Sequence, residues 1–119
     1  MSNIVVCDFD GTICDFAYPE MGEPKDGVKY ALKELKNMGY KIHILSCRTS
    51  HDIKKYPIDR QEQVRMMEDY LNKHEIPYDE VLNKDKPLAV WYIDDRAIGF
   101  RDNWKEVVEE IKNDKDVVI

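Results

Sequence analysis

The chain has 119 residues, of which 43% are hydrophobic and 35% charged, with a formal net charge of −6 at pH 7 and a pI of about 5.0. This length is typical of one domain, so we expect residues 1–119 to share a single core. The acidic balance disfavours a protein that coats nucleic acid, and no apolar run is long enough to cross a bilayer. The amino terminus lacks a basic leader and the cysteines lack metal-ligand spacing, which indicates a cytoplasmic protein with reduced thiols.

The first half of the chain predicts two strands and an amphipathic helix. The β-branched run 4–7 is typical of a buried strand. The segment 13–25 contains two prolines and a glycine and predicts a loop. A helix begins at Asp26, with apolar residues at helical spacing, and ends at Gly39. The second strand covers 40–46.

The second half continues the alternation of helices and strands. We predict a helix over 59–73, a short edge strand over 76–82, a strongly apolar strand over 88–93, a helix over 102–112 and a final strand over 117–119. Such alternation is typical of an α/β fold, in which right-handed crossovers join parallel strands and helices cover both faces of the sheet.

Two carboxylates stand where the first strand ends. Asp8 and Asp10 lie in the first turn beyond it, with Gly11 allowing the backbone to approach a bound group and Thr12 supplying a hydroxyl. Asp-x-Asp-Gly also occurs in ordinary turns. Two carboxylates this close repel one another, and a bound hard cation such as Mg²⁺ commonly offsets that repulsion.

Polar side chains follow two further predicted strands. Ser46 comes after the second strand, and Asp94 and Asp95 close the strand over 88–93. Because parallel strands point their carboxyl ends the same way, we expect these residues to converge with Asp8 on one edge of the sheet. The alternative for Asp94 and Asp95 is a plain turn, although two adjacent acids would repel without a cation.

The pattern resembles the haloacid dehalogenase-like (HAD) phosphohydrolase superfamily, in particular its small capless members. The resemblance covers nearly the whole chain and implies a three-layer, Rossmann-like parallel sheet with strand order 3-2-1-4-5. The stretches between the motifs are too short for a cap domain to fold. The four motifs are Asp8-Phe9-Asp10-Gly11-Thr12, Ile44-Leu45-Ser46, a lysine near Lys86, and Asp94-Asp95.

The resemblance implies a Mg²⁺-dependent phosphatase that cleaves a small phosphomonoester, such as a sugar phosphate or a nucleotide. Asp8 attacks phosphorus and forms an aspartyl-phosphate, while Asp10 protonates the leaving oxygen and then activates water. The metal ligands are Asp8, the backbone carbonyl of Asp10, Asp94, and Asp95 directly or through water.

The resemblance also implies phosphate-binding residues in and near the same turns. Lys86 is preferred over Lys84 because family members often carry Lys-Pro at that place. Arg48 could bind the phosphate or the leaving group, or form a surface ion pair. The implied phosphate-binding residues are Gly11, Thr12, Ser46, Arg48 and Lys86.

Two alternative functions stay open. A basic cluster after the second strand favours a phosphatase that acts on polynucleotide ends, unless the cluster is only a solvated loop. Its members are Arg48, His51, Lys54, Lys55 and Arg60. A receiver-like or inactive phosphate-binding module is the other class; the order of Lys86 before Asp94 disfavours a receiver, and Asp10 disfavours an inactive module. The sequence predicts neither the physiological substrate nor an oligomeric state.

Overall fold

The structure is a computed structural model that describes residues 3–50 and 59–114. Strands and helices alternate along the chain, and a short 3-10 turn over Cys47–Thr49 follows the second strand. The elements are β1 (Ile4–Cys7), α1 (Val28–Asn37), β2 (Lys41–Ile44), α2 (Arg60–Lys73), β3 (Glu80–Val81) and α3 (Trp104–Asn113).

The three strands form an open parallel sheet in the order β1-β2-β3. Val5 lies beside Ile42, and Cys7 beside Ile44, which in turn lies beside Val81. The prediction of an α/β fold with a parallel sheet is therefore confirmed. A five-strand order and helices on both faces are not seen in the described residues.

The buried side chains of the strands share one face of the sheet, because alternate residues of a strand point to the same side. Cys7, Ile42, Ile44 and Val81 are buried on this face. The helices supply the rest of the core, in which α1 packs against β2 and α3, and α2 against β3 and the 3-10 turn. Their buried apolar residues include Leu32, Leu35, Met67, Leu71, Val107 and Val108.

The other face of β1 is not covered by the described residues. Ile4 and Val6 lie on this face and are 41% and 56% exposed. Parallel sheets are normally covered on both faces, so an exposed apolar pair on β1 stands out from the rest of the sheet.

Several element boundaries differ from the predictions. The strand predicted over 76–82 shortens to Glu80–Val81, and the last helix begins at Trp104. The later start has a backbone cause, since Asp102 has a φ of +57°, which is not helical. The strand predicted over 117–119 lies outside the described residues.

The strand predicted over 88–93 is not seen in this structure, in which the segment has no regular secondary structure. Val90, Trp91 and Ile93 are 89%, 82% and 99% exposed. The Tyr92 hydroxyl donates a hydrogen bond to the carbonyl of Pro87, just before this segment. Apolar content predicts a strand only where a neighbouring strand can pair with it, and none of the described strands does so here.

Within the described ranges, none of the helices combines the length and apolar character needed to span a membrane.

Candidate active site

Asp8 emerges directly after β1, where it meets two side chains that can bind anions. Its Oδ1 lies 2.9 Å from the Lys86 Nζ, and its Oδ2 accepts a hydrogen bond of 3.2 Å from the Thr12 hydroxyl. The Asp8 side chain is 36% exposed, and that of Lys86 18%. The carboxylate is thus held by a cation and a hydroxyl while one side stays open to solvent.

The turn that follows β1 is fixed by its own backbone. Gly11 has a φ of +83°, a conformation that glycine adopts without strain. Its N–H donates to the Cys14 carbonyl at 2.8 Å, and the Thr12 N–H donates to the Phe9 carbonyl at 3.2 Å. Trp104 of α3 donates from Nε1 to the Thr12 carbonyl at 2.9 Å. Both N–H groups are thus engaged within the turn, and phosphate binding by Gly11 and Thr12 stays a prediction.

Asp10 forms a bidentate ion pair with Arg48. Arg48 Nε lies 2.7 Å from Asp10 Oδ2, and Arg48 NH2 lies 2.8 Å from Asp10 Oδ1. The Arg48 side chain is only 1% exposed and the Asp10 side chain 12%. Arg48 therefore does not belong to a surface ion pair, whereas its contact with phosphate stays a prediction.

Ser46 is buried at the end of β2 and caps the 3-10 turn. Its Oγ accepts a hydrogen bond of 3.0 Å from the Arg48 backbone N–H. This bond sets the path of the chain into Arg48, whereas contact of Ser46 with phosphate stays a prediction.

The 3-10 turn also positions Lys86, through two residues that the sequence analysis missed. Thr49 donates from its hydroxyl to the Lys84 carbonyl, and Ser50 Oγ bonds to both the carbonyl and the N–H of Lys86. The Lys84 residue is exposed. Lys86 is thus the lysine that contacts Asp8. The sequence feature that could have pointed to Thr49 and Ser50 is their position directly after Ser46 and Arg48.

Asp94 and Asp95 do not join this site. Both are exposed, and Asp94 Oδ1 accepts a hydrogen bond of 2.8 Å from the Arg96 N–H within a local turn. Among the residues that the structure describes, no three His, Cys, Asp or Glu side chains lie close enough together to hold a metal ion. The predicted convergence brings together Asp8, Asp10 and Ser46 with Lys86, but not the second acidic pair.

The predicted basic cluster is only partly described. Arg48 is buried against Asp10, and Arg60 lies 3.7 Å from Asp85. His51, Lys54 and Lys55 lie outside the described residues. Both described members face carboxylates, so they offer no support for a polynucleotide-binding surface.

The cysteines nearest the site are buried thiols. Burial, with the neighbouring Asp8 carboxylate, raises the pKa of Cys7 to about 12, and burial with Asp10 raises that of Cys14 to about 11. Both thiols stay protonated at neutral pH and are poor nucleophiles. The Asp8 side chain, by contrast, is 36% exposed at the end of β1.

Known proteins inform the fold only. No family model and no curated protein matches this chain. A conserved protein from Bacteroides thetaiotaomicron has a similar structure, with a TM-score of 0.58 and 22% identity over 92% of this chain and 88% of that one. A crystallised target protein from Vibrio cholerae is similar with a TM-score of 0.62 and 25% identity over 93% of this chain and 99% of that one. These matches concern the fold and carry no activity with them.

Proposed function

We propose that the protein is a phosphatase that hydrolyses a small phosphomonoester through an aspartyl-phosphate on Asp8. The observation that carries this proposal is the contact of Asp8 with Lys86 and Thr12 at the open end of β1. Lys86 is 78 residues away in sequence, so folding has brought a cation to this one carboxylate. A carboxylate beside an ammonium group and a hydroxyl can receive a phosphoryl group whose oxygens need such donors.

The proposed reaction has two displacement steps. In the first, an Asp8 oxygen forms a bond to phosphorus as the ester oxygen departs, and that oxygen takes a proton from Asp10. In the second, water attacks the aspartyl-phosphate, Asp10 accepts the water proton, and inorganic phosphate leaves while the Asp8 carboxylate is restored. Lys86 balances the negative charge on the phosphoryl oxygens in both steps.

We further propose Mg²⁺ as the cofactor, although the acidic residues as they lie do not fit a magnesium site. Such a site needs Asp94 beside Asp8, and the arrangement that would provide it is a fourth strand over 88–93 docked on the edge of β1 opposite β2, in the strand order 3-2-1-4-5. Two exposed apolar surfaces support this docking: Ile4 and Val6 on β1, and Val90 to Ile93 on the segment. A strand added at this edge would lie beside Ile4 and Val6, and it would place Asp94 at the same end of the sheet as Asp8.

The test is release of phosphate from p-nitrophenyl phosphate by purified protein, with and without Mg²⁺. We expect turnover by the wild type, and a loss of at least about 1000-fold in kcat for Asp8→Asn, because the nucleophile is removed. Asp69→Asn is the matched control, since Asp69 is an exposed carboxylate on α2 that makes no contact with the site.

Two outcomes would overturn the proposal. One is equal activity of the wild type and Asp8→Asn. The other is an absence of phosphate release from a broad panel of phosphorylated sugars and nucleotides. Activity confined to oligonucleotide ends would instead favour the polynucleotide alternative.

A further inference from the structure

Arg48 uses one side of its guanidinium group to hold Asp10. The two nitrogens Nε and NH2 each reach a different carboxylate oxygen, at 2.7 and 2.8 Å. A two-point contact of this kind fixes the plane of the carboxylate as well as its position. A lysine could supply the charge at this place but not the fork of two parallel donors.

The other side of Arg48 binds the loop that precedes α1. NH1 donates to the Pro19 carbonyl at 3.1 Å, and NH2 donates to the Glu20 carbonyl at 2.9 Å. The guanidinium carbon lies 4.7 Å from the centre of the Tyr18 ring. Arg48 therefore connects Asp10 to the segment from Tyr18 to Glu20.

That loop is itself anchored to the core. The Tyr70 hydroxyl of α2 donates to the Gly22 carbonyl at 2.6 Å, and the Asp15 N–H donates to the Glu23 carbonyl at 2.8 Å. A Cβ on Gly22 would lie 2.0 Å from the Asp15 carbonyl oxygen, so only glycine allows the two arms of the loop to come this close. The loop whose carbonyl groups bind Arg48 is thus a fixed part of the fold.

We propose that Arg48 is a positioning residue that orients Asp10 for proton transfer and does not bind the phosphate. This inference rests on the proposed function. Four of the five guanidinium N–H donors are used by Asp10, Pro19 and Glu20. To reach a phosphate, Arg48 would have to leave a buried charged partner, which is costly. The oxygens of Asp10 keep a second lone pair each, through which a proton can be exchanged with substrate or water.

The test compares Arg48→Lys with the wild type on two substrates, p-nitrophenyl phosphate and phenyl phosphate. Because phenoxide is the stronger base, its departure depends more on a proton from Asp10. We expect Arg48→Lys to lower kcat by about 10-fold to 100-fold, with the greater loss on phenyl phosphate. Inhibition by inorganic phosphate should keep its Ki, because the groups that bind phosphate are intact. Arg65→Lys, at an exposed arginine of α2, is the matched control.

The outcomes separate this inference from the proposed function. A Ki for inorganic phosphate that rises in step with the loss of kcat would make Arg48 a phosphate ligand and overturn the inference. An equal loss on both substrates would reduce Arg48 to a structural role and also overturn it. Failure of the wild type to release phosphate from these two substrates and from the panel of phosphorylated sugars and nucleotides would remove the proposed function and, with it, this role.

A second variant keeps the test decisive if Arg48→Lys does not fold, as judged by circular dichroism. Tyr18→Leu removes the ring beside the guanidinium and leaves the ion pair with Asp10 in place. We expect a smaller loss of kcat with the same dependence on the leaving group. Unchanged kinetics for a folded Tyr18→Leu on both substrates would argue against a role of the loop in orienting Asp10.

Discussion

The two acidic pairs, Asp8 with Asp10 and Asp94 with Asp95, differ sharply in how the fold holds them. Around Asp8 and Asp10, each carboxylate has a cationic partner, and the partners are tied to further elements. Around Asp94, the carboxylate accepts only a local backbone hydrogen bond, and the apolar residues before it are exposed. Polar residues that follow a predicted strand are therefore brought to a common site only where that strand is paired in the sheet. Hydrophobicity alone did not bury the segment over 88–93.

The largest expected effect is on stability, and it compares one residue from each region. Leu35 of α1 is fully buried, whereas Ile93 is 99% exposed. We expect Leu35→Ala to lower the free energy of unfolding by about 3 kcal/mol, because it leaves a cavity in the core. We expect Ile93→Ala to change it by less than about 0.5 kcal/mol. Urea denaturation without added metal measures both, and a comparable loss at Ile93 would show that the segment is packed in solution.

The second effect concerns the proposed docking of the segment over 88–93. If docking completes a magnesium site, Asp94→Asn should lower kcat by about 100-fold and weaken Mg²⁺ binding, since a direct ligand is lost. Activity assays and calorimetric titration of the protein with Mg²⁺ provide two independent readouts. Asp69→Asn serves again as the control. Full activity and unchanged Mg²⁺ binding in Asp94→Asn would mean that the second acidic pair is only a turn.

The smallest expected effect is on the free energy of unfolding and involves Asp79, a carboxylate outside the candidate site. Asp79 accepts hydrogen bonds of 2.7 Å from the Lys36 Nζ and from the Ile42 N–H. The Lys36 ammonium group, followed by the Ile42 N–H, lowers the pKa of Asp79 below its usual value of 3.8. The resulting stabilisation is present above the usual pKa and is lost as the pH falls through the lowered, folded-state value.

Because the Asp79 side chain is 29% exposed, solvent screens the pair, and we expect Asp79→Asn to lower the free energy of unfolding by about 1 kcal/mol at pH 7. The difference between variant and wild type should shrink when urea denaturation is repeated below pH 3.8. A difference that stays constant with pH would show that the effect is not due to the ionised carboxylate.

Local sequence patterns were sufficient to predict those helices and strands that pack against other elements. The β-branched run of β1 and the helical spacing in α1 each predict an element that packs against β2. The position of Asp8 after β1 followed from the same reasoning. Lys86 came from the family resemblance, and its contact with Asp8 agrees with the role implied there without testing it.

Other features depend on contacts that spacing does not encode. The pairing of Arg48 with Asp10 needs the relative placement of two strand ends and a loop, so the sequence left Arg48 open between a phosphate ligand and a surface pair. Thr49 and Ser50 act through the backbone of residues 84 and 86, which no motif marks. The segment over 88–93 is strongly apolar, yet whether it forms a strand depends on a neighbouring strand to pair with, which the apolar pattern does not identify.

The most direct test of an aspartyl-phosphate enzyme is to trap the phosphoryl group. Asp10→Asn should be mixed with p-nitrophenyl phosphate and Mg²⁺, quenched in acid, and digested for peptide mass spectrometry. Because the second step needs Asp10 as a base, we expect one phosphoryl group to accumulate on the peptide that contains Asp8, and none in Asp8→Asn. Phosphate release without a phosphorylated Asp8, or a phosphoryl group on another residue, would contradict the assignment of Asp8 as the nucleophile.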